Sequence, residues 1–348
     1  MNTRLAFALL TATLCAAAGK PATAQQLTGA GAPFPFPIYS KWFDAYHRAN
    51  PGVTINYQSI GSGGGIQQLK NRTVDFGASD APLSDAEVKQ MPAPVAHIPT
   101  VAGAVVLAYN LPGAPNGIKL TGDVIGDIFL GKITRWNDAR IAALNRGVSL
   151  PGRAIAVAHR SDGSGTTYIF THYLAAVSPA WKSKVGAGKS VNWPVGLGGK
   201  GNEGVAGLIR QTPGGFGYVE LAYAIQNRLP FAQVRNRSGR FIAPDVKSTT
   251  AAVAGAAGLL KGDIRTPIVN SPSPAAYPIC GLTYLLVYRN MPDAAKGGTL
   301  VKFLRWAMGP GQALADDLHY APLPKQVVSL NSATLKSLTA GGRKLAAK

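Results

Sequence analysis

Acidic residues are scarce in this 348-residue chain: 16 Asp and Glu stand against 35 Lys and Arg, a formal net charge of +19. That imbalance favours encounter with anions and acidic surfaces. Cysteine is rarer still, at two residues. Cys15 falls in an N-terminal leader, so Cys280 stands alone and no intramolecular disulfide is possible; stability must come from a core. Five scattered histidines and one cysteine form no metal-ligand cluster, and no metal or organic cofactor is expected. No run reaches the roughly 18 apolar residues that a membrane-spanning helix requires. A Lys/Arg stripe interleaved with aromatics is also missing, which argues against nucleic acid as the partner.

The first residues read as a secretory signal over 1–24. Met1 to Arg4 carries one positive charge, Leu5 to Ala18 is apolar, and Ala22-Thr23-Ala24 offers small residues for cleavage. Leu14 precedes Cys15 where a lipoprotein signal wants a small residue, so lipid anchoring is not expected. The mature chain would start at Gln25 and lie outside the cytoplasm. Its length is ample for two lobes.

The stretch Arg160-Ser161-Asp162-Gly163-Ser164-Gly165-Thr166-Thr167 organises the reading. A β-like run, Ala154 to Ala158, precedes it and an apolar segment of helical spacing, Tyr168 to Ala176, follows. Ser164, Gly165 and Thr166 then fall on a first helical turn, where backbone N–H groups have no partner within the helix. Gly163 and Gly165 let a ligand approach the backbone. The hydroxyls and the positive end of the helix dipole suit an anion. Arg160 can add a planar charged fork, with Asp162 placed to orient it. An ordinary helix-capping Gly/Ser loop with a solvated Arg160 is the competing reading.

A second loop of this kind, Gly61-Ser62-Gly63-Gly64-Gly65, follows a strand-like Val53 to Gln58 and leads into a helical segment expected from Ile66 to about Asn71. Asp80 ends a short buried strand, Val74 to Ala78, at the strand end where ligands of open α/β sheets collect; turning the chain is its plainer role. Two other loops are decoys. Ser183 to Ser190 mimics a nucleotide P-loop without its first glycine, and Gly196, Gly198 and Gly201 mimic a dinucleotide fingerprint without the preceding strand.

Strands alternate with helices along the chain, which indicates an α/β protein with largely parallel sheets. Further helices are expected over Thr249–Leu260, Thr299–Met308 and Gln312–Leu318, an apolar strand over Cys280–Tyr288, and a frayed basic tail over Lys336–Lys348. Cys280 reads as a small buried hydrophobe.

Several of these words, in this order, resemble the periplasmic phosphate-binding receptors of high-affinity phosphate ABC transporters. They are Leu27 to Ala32, Ile60-Gly61-Ser62, Val74 to Asp85, Arg160 to Thr166 and Gly196 to Gly201. The resemblance spans nearly the whole mature chain. It implies the two-lobed type II binding-protein fold, each lobe a mainly parallel sheet flanked by helices. Residues 25–101 and 277–348 would form lobe I and residues 102–276 lobe II, with crossings near Val101 and Tyr277. Phosphate would lie between them, held by the backbone at Phe34, by Ser62 and Asp80, and by Arg160, Ser164, Gly165 and Thr166, with Asp162 behind Arg160. A membrane permease would be the partner, the receptor would be a monomer, and no enzyme activity is implied.

A carboxylate beside an anion makes sense if the anion keeps a proton, as hydrogen phosphate does. Ionised Asp80 can only accept, so it can pair with that proton, whereas sulfate has none to offer. One departure stands out. Pro33 occupies the place where the family usually carries threonine or serine, so up to two donors are lost there. Two other readings remain open. A phosphatase in the same cleft would need a nucleophile with a base or metal, and His159, next to Arg160, should point to the opposite face of its strand. A basic surface or adhesive protein would use the charge alone.

Overall fold

The computed structural model describes residues 25–345; the proposed signal segment 1–24 and the last three residues lie outside the described residues. β1 (Gln25–Gly31) opens the chain and α1 (Phe36–Ala49) follows, burying Ile38, Trp42 and Tyr46 along one stripe. β2 (Val53–Ser59) leads into α2 (Ser62–Lys70), which begins four residues before Ile66. The glycines expected to precede this helix form its first turn, because helix and strand backbones touch there. A Cβ on Gly65 would lie 2.4 Å from the Gly31 Cα. β3 (Phe76–Ser79) ends at Asp80, α3 (Asp85–Gln90) starts with a complete Ser84–Glu87 capping box, and β4 (Val95–Tyr109) runs for 15 residues.

The middle of the chain contributes β5 (Lys119–Leu120), α4 (Gly122–Phe129), α5 (Ala139–Leu144), β6 (Ala156–Arg160), α6 (Gly165–Val177) and α7 (Pro179–Lys184). Then come β7 (Leu197–Gly199), α8 (Gly201–Gln211), β8 (Gly215–Glu220), α9 (Leu221–Gln226), β9 (Gln233–Arg235) and β10 (Phe241–Ile242). The helix expected over Thr249–Leu260 is two, α10 (Val246–Gly255) and α11 (Ala257–Gly262), broken at Ala256. Gly255 marks the break and packs so closely that a Cβ there would lie 2.3 Å from Ser271 Oγ.

β11 (Cys280–Tyr288) returns the chain to the first half, followed by β12 (Asn290–Met291) and α12 (Ala294–Met308). The helix expected over Gln312–Leu318 is two 3₁₀ turns, Pro310–Leu314 and Asp316–Leu318, the second closed by His319 at φ +63°. α13 (Lys325–Ser337) was not foreseen, and the tail up to residue 345 is a hairpin of β13 (Thr339–Ala340) and β14 (Arg343–Lys344) paired to β12. Gly341 and Gly342, both at positive φ, supply the tight turn that makes this hairpin possible.

The main sheet has the order β2-β1-β3-β11-β4-β8-β6-β7. β1 pairs in parallel with β2 and β3, and β6 in parallel with β7 and β8. The centre is antiparallel: β11 against β3 and β4, and β4 against β8. The sheet is therefore mixed, with parallel flanks, because β4 and β11 run the length of the junction instead of joining one flank. β4 changes partner along its own length, from β11 at Val95–Ala104 to β8 at Val105–Tyr109. It is buried almost throughout, as its continuous apolar run requires. This two-lobed α/β arrangement brings the loops after β1, β3, β6 and β7 together at the junction.

Candidate functional site

Arg160 ends β6 with its side chain fully buried. A buried guanidinium must be paired. Asp162 does this with a two-pronged contact, Nε to Oδ1 at 2.7 Å and Nη2 to Oδ2 at 2.5 Å. Gly201 N–H, at the start of α8, also donates to Asp162 Oδ1 at 3.1 Å. Burial alone would raise the Asp162 carboxyl, but the hydrogen bonds and charge of Arg160 hold it below the usual carboxylate range. Nη1 remains directed toward Thr166 Oγ1 at 3.2 Å. The Arg160 N–H donates to the Tyr218 hydroxyl, which shares a hydrogen bond with Thr167 Oγ1, so β8 fixes the loop from behind.

α6 starts where the sequence indicated, with Ser164 as its cap accepting from Thr167 N–H at 3.0 Å. Its first turn meets the first turn of α2 head-on. Gly165 N–H donates to Ser62 Oγ at 3.0 Å, and Gly63 N–H donates to the Gly163 carbonyl at 2.8 Å. A Cβ on Gly165 would lie 2.4 Å from Asp80 Oδ2 and 2.6 Å from Ser62 Oγ. Ser62, Asp80 and Gly165 thus meet directly, Ser164 and Thr166 flank Gly165, and Arg160 reaches Thr166; their surroundings form the candidate anion space.

The hydroxyls there have a fixed polarity. Ser62 Oγ receives the N–H of Gly165 and, at 3.4 Å, that of Asp80. Thr166 Oγ1 receives Arg160 Nη1 and, at 3.4 Å, Asn202 Nδ2. A hydroxyl oxygen has two acceptor positions and one hydrogen. With both positions occupied, each hydroxyl has its own hydrogen left to donate. Asp80 is the exception. Thr283 of β11 donates to its Oδ1 at 2.7 Å, while Oδ2 is buried without a partner among the described residues. Burial pushes its carboxyl up to about 7, against the lowering effect of Thr283 and Arg160. One orphan acceptor sits among several donors.

Phe34 lies beside this space in the turn between β1 and α1. Its carbonyl accepts from the Tyr320 hydroxyl at 2.7 Å, and the Pro33 carbonyl accepts from the Tyr223 hydroxyl at 2.7 Å. The turn that lost side-chain donors to Pro33 is braced instead by two tyrosines. His159 is turned away, stacked on Trp193 with ring centroids 4.8 Å apart. Among the described residues no group of three His, Cys, Asp or Glu could hold a metal ion, and no helix is long and apolar enough to cross a membrane.

Sequence reading missed Thr283, Tyr218, Asn202, Tyr223, Glu220 and Tyr320. Thr283 had a signal, since it is the one hydroxyl in the otherwise apolar start of β11 beside Cys280, Gly281 and Leu282. Tyr223 and Tyr320 reach the site only through tertiary packing and had none.

Relatives carry this architecture. The model of the PBP superfamily domain matches residues 16–310. The phosphate-binding protein PstS of Xylella fastidiosa (strain 9a5c) is 46% identical over 304 residues, covering 87% of this chain and 83% of that protein. PstS of Pasteurella multocida (strain Pm70) is 43% identical over 331 residues, 95% of each chain. The crystal structure of a phosphate-binding protein from Stenotrophomonas maltophilia superposes with a TM-score of 0.70 at 21% identity, covering 89% of this chain and 94% of that one, a likeness of fold. Matched over most of its length by the family model and by these relatives, the chain belongs to the PBP superfamily and, within it, to the PstS family of phosphate-binding proteins.

Proposed function

We propose that this protein captures inorganic phosphate between its lobes and delivers it to the membrane permease of an ABC transporter. The observation that carries the reading is the pairing of a donor-lined space with one buried, unpartnered carboxylate oxygen, Asp80 Oδ2. The Ser62 and Thr166 hydroxyls, the Arg160 guanidinium, the first-turn amides at Gly165 and Thr166, the Ser164 side chain and the Phe34 backbone serve the oxygens of the anion. Asp162 holds Arg160. Asp80 Oδ2 accepts the proton that hydrogen phosphate retains. Sulfate offers no such hydrogen and would face a carboxylate with two acceptors opposed. That mismatch of a charged hydrogen bond in a dry cleft costs about 2–3 kcal/mol, thirty- to over a hundredfold in affinity.

Residues 25–101 with 277–348 act as lobe I and residues 102–276 as lobe II, hinged near Val101 and Tyr277. The partner exchange of β4 between Ala104 and Val105 supports a hinge in this part of the sheet. Phosphate shifts an open–closed equilibrium because only the closed form contacts it from both lobes. The protein acts as a receptor in the periplasm after removal of residues 1–24, and not as an enzyme: Asp80, the carboxylate beside Ser62, is taken by the proton of the anion, and His159 is stacked on Trp193. Equilibrium dialysis of the phosphate-stripped protein against labelled phosphate, with unlabelled sulfate as competitor, tests this. Retention of phosphate in excess sulfate supports it; displacement by equimolar sulfate refutes the role given to Asp80.

A further inference from the structure

Behind the Phe34 turn lies a second buried acid that contacts no part of the anion space. Glu220 ends β8 and caps α9, its Oε2 accepting from Ala222 N–H at 2.8 Å. The carboxyl is fully buried, and Oε1 has no partner among the described residues. The Tyr320 hydroxyl lies 3.1 Å from Oε2 and 2.7 Å from the Phe34 carbonyl oxygen. These two oxygen–oxygen contacts need two hydrogens, and Tyr320 has one. The carbonyl can only accept. Both contacts close only if Glu220 brings the second hydrogen.

We propose that Glu220 is a positioning residue that carries a proton in the closed form, donating it to Tyr320 so that Tyr320 can hold the Phe34 carbonyl, and that closure around phosphate draws this proton from solvent. The inference rests on the phosphate-receptor reading and lobe division above. In that division Glu220 belongs to lobe II, and Tyr320 and Phe34 to lobe I. Opening separates them, admits water and returns the carboxyl to its ionised form, releasing the proton.

The surroundings agree. Asp80, just past β3, opposes a second negative charge at Glu220, while Tyr223 of α9 contacts Glu203 of α8 at 3.2 Å. β4 presents Gly103, whose Cβ would lie 3.4 Å from Oε1, and α8 presents the Asn202 amide, which accepts from the Glu220 N–H. Arg160, the cation of the cleft, is engaged by Asp162. Burial drives the Glu220 carboxyl well above its ordinary value, in keeping with a bound proton.

The test is calorimetric titration of the phosphate-stripped protein with inorganic phosphate, in buffers of contrasting ionisation heat across neutral to alkaline pH. Glutamine supplies an N–H where the protonated acid supplies an O–H. Glu220→Gln keeps a donor toward Tyr320, but its nitrogen cannot accept the Ala222 N–H, so it is expected to lose less than tenfold in phosphate affinity near neutrality, to take up up to one proton fewer per phosphate, and to lose less further affinity as pH rises. Equal proton counts and superimposable pH profiles, or a tenfold loss at neutrality in Glu220→Gln, overturn the proposal. Should Glu220→Gln not fold, Tyr320→Phe gives the second reading. It is expected to weaken binding about tenfold and to lower proton uptake, and unchanged uptake overturns the proposal. Absence of any phosphate heat in the wild type would instead refute the receptor reading.

Discussion

The Ser62 hydroxyl oxygen accepts the Gly165 amide hydrogen at 3.0 Å, joining the first turns of α2 and α6 across the cleft. Two helix starts in direct contact at this point make closure sensitive to fractions of an ångström. A methyl at Gly165 would collide with Asp80 and Ser62. Gly165→Ala is expected to fold, because a helix start tolerates alanine, but to resist closure. A penalty of about 1–3 kcal/mol weakens phosphate binding roughly 5- to 150-fold. Titration, with small-angle scattering to show loss of compaction on adding phosphate, checks it; unchanged affinity would show that the lobes meet differently.

In the proposed site Asp80 sets the choice of anion. Asp80→Asn replaces the accepting carboxylate by an amide that can donate, so phosphate binding is expected to weaken while sulfate binding strengthens. Their affinity ratio should fall by about a hundredfold, the worth of one charged hydrogen bond in a dry site. Competition between the two anions measures it.

Arg160, fully buried, and Asp162, half-buried, form a pair whose charge the anion would share in the proposed site. Arg160→Ala leaves the half-buried Asp162 without its cation, so phosphate binding should become undetectable and the melting temperature should drop, with a stability loss of about 1–3 kcal/mol. Arg160→Lys cannot reproduce the two-pronged contact and is expected to recover stability in part but not tight binding. Circular dichroism melting together with titration separates the two effects.

Burial of Asp80 has a pH signature. Its folded value of about 7 stands above its unfolded value of 3.8, so the folded, phosphate-free protein binds a proton that the unfolded chain releases. The associated stability is fully present below 3.8 and is lost as pH rises through about 7. Melts of the phosphate-stripped protein from mildly acidic to alkaline pH should therefore decline, and Asp80→Asn should flatten that decline. An identical slope in the variant would assign it to other groups.

Charged pairs at the cleft rim should govern release. Lys189 meets Glu87 at 2.5 Å and Arg265 meets Asp85 at 2.7 Å, each joining α3 to what the proposed division makes the opposite lobe. They are partly exposed, so each contributes about 0.2–1 kcal/mol. Lys189→Ala and Arg265→Ala are each expected to speed phosphate release up to about fivefold, with a weaker salt dependence than wild type. Stopped-flow release into a phosphate scavenger reads both.

The parts of the site that the sequence revealed are those set by local rules. A strand running into a Gly/Ser turn and then a helix announces unpartnered amides, which is why Arg160, Ser164 and Ser62 stood out. Asp80 was legible as a carboxylate at a strand end. Thr283, Tyr218, Glu220, Tyr223 and Tyr320 were not, because their roles depend on which strands lie side by side. The central antiparallel pairing of β4 and β11 joins residues nearly 200 positions apart, and no periodicity reports it. The early start of α2 escaped notice for a related reason: its glycines are poor helix formers alone, and close packing on β1 overrides that preference. The tail hairpin escaped because its strands are two residues long, and only the Gly341-Gly342 turn and pairing to β12 sustain them.

In the proposed site one oxyanion carrying a proton is gripped jointly by Arg160 and Asp80. The most direct test is parallel calorimetric titration of phosphate-stripped wild type, Arg160→Ala and Asp80→Asn with phosphate and then sulfate. The account expects tight one-to-one phosphate binding and no sulfate heat in the wild type, no binding in Arg160→Ala, and a collapsed phosphate-to-sulfate ratio in Asp80→Asn. Wild-type phosphate affinity in both variants would contradict it.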